Sequence, residues 1–206
     1  MRRFIIALLA LTALSTGGFA QSVDEIVARM EKEVARGETE GTSLTMTMKI
    51  PMIGEFDTHI KAIGDNTRSE AVIKGERIIM WTDKNTSWTY DSNKNEIEIE
   101  NSKRDSDANK EADMLKGITS GYKASLVGET ADSWHIKCVK DKSNTDKNDP
   151  KRMNIVVSKK TYLPISVTAK ASIATVSLKN FSIGVSPEEV KFDPSAFPGA
   201  EVVDKR

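Results

Sequence analysis

Between Glu76 and Glu100 the chain writes three short alternating segments joined by two tight polar turns. Glu76 to Trp81 is rich in β-formers and ends at Asp83-Lys84-Asn85; Thr86 to Asp91 alternates, with Trp88 and Tyr90 on one side and Ser87 and Thr89 on the other. After Ser92-Asn93-Lys94-Asn95, Glu96 to Glu100 alternates again around Ile97 and Ile99. Turns this short can join only antiparallel neighbours, because a parallel crossover needs a dozen residues or more. A β-meander is therefore expected here, and the rest of the chain has to fit onto its sheet.

Further strands read the same way. Thr42 to Ile50 sets Leu44, Met46, Met48 and Ile50 on one face against Thr45, Thr47 and Lys49 on the other. Phe56 to Ile63 returns with Phe56, Thr58, Ile60 and Ala62 together, and Arg68 to Lys74 runs back once more. Later segments, Tyr122 to Gly128, Trp134 to Lys140, Arg152 to Ser158, Pro164 to Lys170 and Ala174 to Phe181, predict about five more strands. Helix signals are few. Ser22 with Glu25 forms a capping box, and Val23, Ile26, Val27, Met30 and Val34 make one apolar stripe that Gly37 is expected to end. A weaker helix is expected around Glu111 to Gly117, between the polar stretches Asn101 to Asp113 and Asp141 to Asp149. With so many strands and so little helix, a sheet that rolls around its helices buries the apolar faces best.

Residues 1–20 read as a secretory leader. Arg2-Arg3 precedes an apolar run from Phe4 to Leu14, and Gly18-Phe19-Ala20 offers small residues for cleavage before Gln21. An uncleaved membrane anchor is the alternative, but the run is short and polar-flecked after Thr12. No cysteine follows the leader, so lipidation of a new N-terminal cysteine is not expected. Residues 21–206 then form one domain, with 28 basic against 30 acidic residues once Arg2 and Arg3 are gone. That balance argues against nucleic acid as a partner. Cys138 is alone and shares a face with Trp134 and Ile136, which predicts a buried thiol.

Little in the sequence suggests catalysis. His59 and His135 are isolated, and metal-protease, thiol-pair, phosphate-loop and serine-elbow motifs are all missing. Glu96, Glu98 and Glu100 fall on one strand face, which reads as the wet side of a sheet. Neither a cofactor nor a metal is expected, and no enzyme activity is implied. Methionine is the more telling residue: Met46 and Met48 share the face of Leu44 and Ile50, and Met30, Met52, Met80 and Met114 add to the set. Flexible, polarisable side chains suit either a site for variable apolar ligands or an ordinary core.

Several segments, in order, resemble one family. They are the amphipathic helix Val23 to Arg36 after a leader, and Lys74-Gly75-Glu76-Arg77 to Trp81 running into Thr86-Ser87-Trp88-Thr89-Tyr90-Asp91. Tyr162-Leu163-Pro164-Ile165 follows, and then Val190-Lys191-Phe192-Asp193-Pro194 with Glu201-Val202-Val203-Asp204-Lys205-Arg206 at the end. In this order they resemble the outer-membrane lipoprotein carriers, the LolA-like periplasmic chaperones, particularly those of the Bacteroidetes type. The resemblance implies a mainly β fold: a single curved antiparallel sheet of about eleven strands forming an unclosed, LolA/LolB-like β-barrel with a helical lid.

What such a resemblance further implies is a monomeric periplasmic carrier that holds lipoprotein acyl chains in an apolar cavity. Its partners would be an inner-membrane ABC-type release complex and an outer-membrane acceptor. Leu44, Met46, Met48, Ile50, Phe56, Ile60, Ile78, Met80, Trp88 and Tyr90 are the expected cavity residues, sealed by Val27 and Met30 from the lid side. The family's lid-contacting arginine maps onto Arg68. A periplasmic lipid- or lipoprotein-sensing module and a structural β-sheet module with a filled core are the alternatives.

Overall fold

The computed structural model describes residues 21–102, 118–170 and 174–206. The expected leader and the expected helix around Glu111 to Gly117 lie outside the described residues.

Helix α1 (Val23–Glu40) opens the described fold. The predicted capping box is present: the Glu25 N–H donates to Ser22 Oγ at 3.2 Å, and the Ser22 N–H donates to Glu25 Oε2 at 3.1 Å. These bonds satisfy two of the backbone donors a helix start leaves open. The helix does not stop at Gly37 as expected; it runs to Glu40 and ends at Gly41, whose φ is 79°. Gly37 serves packing instead. A Cβ there would lie 1.7 Å from Thr42 Oγ1, so only glycine lets the first strand come this close.

Twelve strands follow among the described residues: β1 (Thr42–Ile50), β2 (Gly54–Ile63), β3 (Asn66–Ile73), β4 (Glu76–Thr82), β5 (Thr86–Asp91), β6 (Glu96–Asn101), β7 (Tyr122–Glu129), β8 (Ser133–Lys140), β9 (Arg152–Ser158), β10 (Pro164–Lys170), β11 (Thr175–Ile183) and β12 (Glu201–Asp204). They form one sheet in the order β12-β6-β5-β4-β3-β2-β1-β11-β10-β9-β8-β7. The meander expected from Glu76 to Glu100 is β4-β5-β6, antiparallel throughout.

Two expectations are corrected here. The sheet is mixed, because β12 pairs parallel to β6. No turn links those strands, so nothing local forced them to oppose each other; the chain crosses the sheet before β12 reaches the edge. Nor does the expected half-barrel curl describe the molecule: the ladder runs openly from β12 to β7, and the two edges do not meet. Separate elements instead cover one face of each half of the sheet, α1 on one side and the C-terminal segment on the other.

The chain does not run straight from β11 to β12. It contains helix α2 (Pro187–Val190) and a single 3-10 turn, Pro194–Ala196. The Ser186 N–H donates to Glu189 Oε2 at 2.9 Å at the start of α2, and Asp193 caps the 3-10 turn by accepting from the Ser195 N–H at 2.9 Å.

Candidate functional site

The register assigns every strand residue to a face, since directly opposed residues in a ladder point the same way. One row runs Leu44, Ile60, Ser69, Met80, Thr89 and Glu98 across β1 to β6. From Met46 the same face continues through Leu178, Val167, Ile155, Ile136 and Leu126 to the β7 edge. Helix α1 lies on this face, reaching from β2 across β11 to β7. Ile26 and Met30 are fully buried in it, against Leu44, Met46, Ile60, Ile136, Met153, Ile155 and Val157. Burying side chains of this size is worth about 1.5–3 kcal/mol each, so the stripe on α1 is what holds the helix down.

Polar contacts pin α1 along its length. Arg29 Nη1 donates to the Tyr162 hydroxyl at 3.0 Å, and that hydroxyl donates to Gln21 Oε1 at 3.0 Å. The Arg29 guanidinium also stands 5.1 Å over the Tyr162 ring, which packs on Trp134 at 5.2 Å. Thr119 Oγ1 donates to Glu31 Oε1 at 2.6 Å, and the Gly64 N–H donates to the Glu38 carbonyl at 3.0 Å. Beneath the helix, burial pushes the Cys138 thiol up to about 11 and the Tyr122 phenol up to about 12. Cys138 is fully buried, as expected, and stays a neutral thiol near pH 7.

The opposite face carries a different cover. Its row runs Lys61, Arg68, Trp81, Trp88 and Ile99. Here the C-terminal segment lays two rings on the sheet. Phe192 stands 5.3 Å from Trp81 and stacks on Trp88 at 5.2 Å; Phe197 meets Trp81 at 5.5 Å and Tyr90 at 4.3 Å. Ile79, Trp81 and Ile97 are buried, as is Val190 of α2. Lys61 bonds Glu189, which anchors α2 over β2 and β3. The Asn95 amide donates to the Gly199 carbonyl at 2.9 Å just before β12.

The expected cavity residues therefore divide between two faces. Leu44, Met46 and Ile60 are buried under α1, Met48 packs against the same core, and Ile50 and Phe56 continue their face toward the β1–β2 turn, half-buried. Ile78 and Met80 share that face two strands further on, half-buried. Trp88 and Tyr90 do not join them, because Trp88 opposes Trp81 while Met80 opposes Thr89. Of the expected lid residues, Met30 is fully buried and Val27 is partly buried against the core.

Arg68 lies on the face away from α1. It donates to Glu70 and stands 5.7 Å over Trp81. The residues that meet the helix in its place are Tyr162 and Thr119. The Tyr162-Leu163-Pro164 motif drew attention to the first, but nothing in its pattern pointed to Arg29.

Glu70 also accepts from Arg77 Nε at 2.7 Å, and Arg77 followed by Arg68 holds its carboxyl below the usual carboxylate range. Glu98 and Glu100 lie on the α1 face of β6, and Glu98 pairs with Lys205 at 2.8 Å. Among the described residues no three His, Cys, Asp or Glu side chains converge as metal ligands. His59 bonds Thr45 at 3.2 Å and His135 bonds Ser133 at 3.3 Å. Cavities of about 260 and 360 Å³ are present: the first borders the α1-face core at Leu163 and Phe181, and the second lies on the opposite face between Trp88, Val190 and Phe192. No described helix is long and apolar enough to cross a membrane.

No protein-family model matches the chain, and no curated protein does. Solved structures do. LprF from Mycobacterium bovis aligns with a TM-score of 0.52 at 9% identity, over 84% of this chain and 99% of its own. A LolA superfamily protein from Nitrosomonas europaea aligns at 0.34 and 10% identity, over 85% of this chain and 100% of its own. A chain of the Pseudomonas aeruginosa MucA/MucB complex aligns at 0.44 and 11% identity over 82% of this chain; this chain spans 60% of that one. At such identities the likeness is one of fold, and the LprF alignment carries it.

Proposed function

We propose that the protein is a periplasmic carrier of the LolA-like kind, which shields the acyl chains of lipoproteins on the α1 face of its sheet. The observation that carries this reading is the continuous apolar surface under α1, in which Met46 and Met48 line up with Leu44 and Ile60 beneath Met30. Each acyl CH₂ removed from water is worth about 0.8 kcal/mol, so a lipidated protein needs such an escort through an aqueous compartment. The ordered motifs from Val23 to Arg206 support the family, including its Bacteroidetes-type branch. The leader in residues 1–20 supports export.

In this reading α1 is the lid, and the core under it is the closed, unloaded state. Loading lifts the helix, exchanging its stripe of Ile26, Met30 and Val34 for acyl chains of similar apolarity. The exchange is then nearly balanced, which suits a carrier that must also release its load. Release from an inner-membrane ABC-type complex and delivery to an outer-membrane acceptor would supply the direction. No cofactor takes part. A filled-core interaction module is the second reading, favoured by the full burial of Ile26, Met30, Ile136 and Ile155 under the helix.

Gel filtration of residues 21–206 with a triacylated lipoprotein in detergent-free buffer separates the two. A soluble 1:1 complex, lost in Met48→Asp with the circular dichroism of the fold unchanged, supports the carrier. An aggregated lipoprotein, together with failure to bind a fluorescent fatty acid, leaves the filled-core module.

A further inference from the structure

Four of the large apolar side chains left in water sit on two neighbouring turns at one end of the sheet. Met52 is fully exposed and Ile53 is 64% exposed in the β1–β2 turn; Val72 at 56% and Ile73 at 39% lead into the β3–β4 turn. Strands alternate in direction, so both turns leave the sheet at the same end, about 10 Å apart across the sheet at two strand spacings, with the β1–β2 tip reaching further out because β2 runs past its pairing with β3. The first turn is held out by a bond from the Ile53 N–H to the Ile50 carbonyl at 3.2 Å.

Met52 has a φ of 67°, the left-handed region where glycine or asparagine is the ordinary occupant. Lys74 in the second turn is also left-handed, at 54°, but Met52 puts a large apolar side chain at such a position, wholly in water. Among the described residues, the Met52 side chain takes no part in the core.

Charges beside the tips are balanced. Lys49 stands 3.9 Å from Glu55 across the first hairpin, and Lys74 and Glu76 flank the second. Paired opposite charges around these apolar points leave no net charge to draw an acidic or basic partner, so burial of the apolar side chains has to supply the binding, as it can at a zwitterionic bilayer surface. The tips are convex and set apart, so they fit a soft planar phase better than a protein groove, which would have to enclose both. We propose that the β1–β2 and β3–β4 tips dock the protein onto a phospholipid bilayer surface, with Met52 and Ile53 entering below the headgroups. The contact needs no ligand under α1 and stands apart from the carrier reading.

The test is flotation of residues 21–206, which hold every described element and lack the apolar leader, with phosphatidylcholine vesicles, with and without phosphatidylglycerol. The expected result is flotation that salt leaves unchanged, and a loss of roughly tenfold or more in Met52→Asp with Ile53→Asp. Met52→Asn separates contact from folding: it relieves the backbone, so it should melt above the wild type while floating no better than the double variant. Wild-type protein that stays at the bottom of the gradient overturns the proposal, as does equal flotation of the variants. Flotation abolished by salt, or dependent on phosphatidylglycerol, overturns it in favour of charge-driven binding. Variants that float normally but no longer hold an acylated lipoprotein would place the tips in a cargo site and overturn it too. Failure of the lipoprotein assay with normal flotation would count against the carrier reading alone.

Discussion

The two halves of this sheet are covered in opposite ways. Over β7 to β11, β1 and β2, an 18-residue helix lays an aliphatic and methionine stripe on one face. Over β3 to β6, the last part of the chain lays Phe192, Phe197 and Val190 on the other face, against Trp81, Trp88 and Tyr90. The helix is a single cooperative unit with its own hydrogen bonds, so it can move as a body without leaving backbone groups bare. The tail has little internal structure and depends on the sheet for its order, through interlocked rings and a parallel strand. One cover keeps most of its backbone bonds within itself, and the other takes its order from the sheet.

The sharpest way to break that contrast is Trp81→Ala. It removes the ring on which both Phe192 and Phe197 rest and should cost about 3–5 kcal/mol in urea unfolding. A loss below about 1 kcal/mol would mean that the tail is not a second core. Met30→Ala is next, at about 2–4 kcal/mol, because Met30 is fully buried under α1. It should also raise the binding of a fluorescent fatty acid, whereas Trp81→Ala should not; the same dye response in both would erase the difference between the two covers.

Ser22→Ala removes one partner of the capping box and should cost about 1 kcal/mol, read as a lower melting temperature. Tyr162→Phe removes the hydroxyl that joins Arg29 and Gln21, and should cost about 0.5–1 kcal/mol. Its clearer signature is faster hydrogen exchange in α1 with β4 to β6 unchanged.

The smallest effect is a pH dependence on the tail side. The Glu70 carboxyl lies below its ordinary value of 4.5 because of Arg77 and then Arg68. A depressed carboxylate stabilises the fold fully above its unfolded value, and that contribution disappears as pH falls through the lower, folded value. Acid unfolding of Glu70→Gln should therefore be flatter below about pH 4.5 than that of the wild type. Identical acid profiles would show that the Arg68–Glu70–Arg77 cluster contributes nothing.

Much of this architecture was legible in residue order. Ser22 and Glu25 declare the helix start because capping is a contact between near neighbours. Turns of three or four polar residues declare the β4-β5-β6 meander for the same reason. The face of Leu44, Met46 and Ile60 was readable from period-2 spacing, and ladders with β2 and β11 bear out the grouping. What failed was parity across a turn. Trp88 and Tyr90 were expected with Met80, but the register opposes Met80 to Thr89. A shift of one residue moves a whole strand to the other side. Arg68 was placed by likeness to the family's lid-contacting arginine and not by spacing, and the ladder sets it opposite Lys61 and Trp81, on the face away from α1.

Alternation, capping and turn chemistry are local, and they determined by themselves that this chain makes a helix-led sheet, antiparallel from β1 to β11, with apolar faces. Only the tertiary structure decided which cover each face receives. The pairing of β12 with β6 joins segments about a hundred residues apart, and the rings of Phe192 and Phe197 reach Trp81 and Trp88 over similar distances in sequence. Contacts of that range leave no periodic trace in sequence, because their energy depends on where the sheet, already folded, leaves apolar surface uncovered.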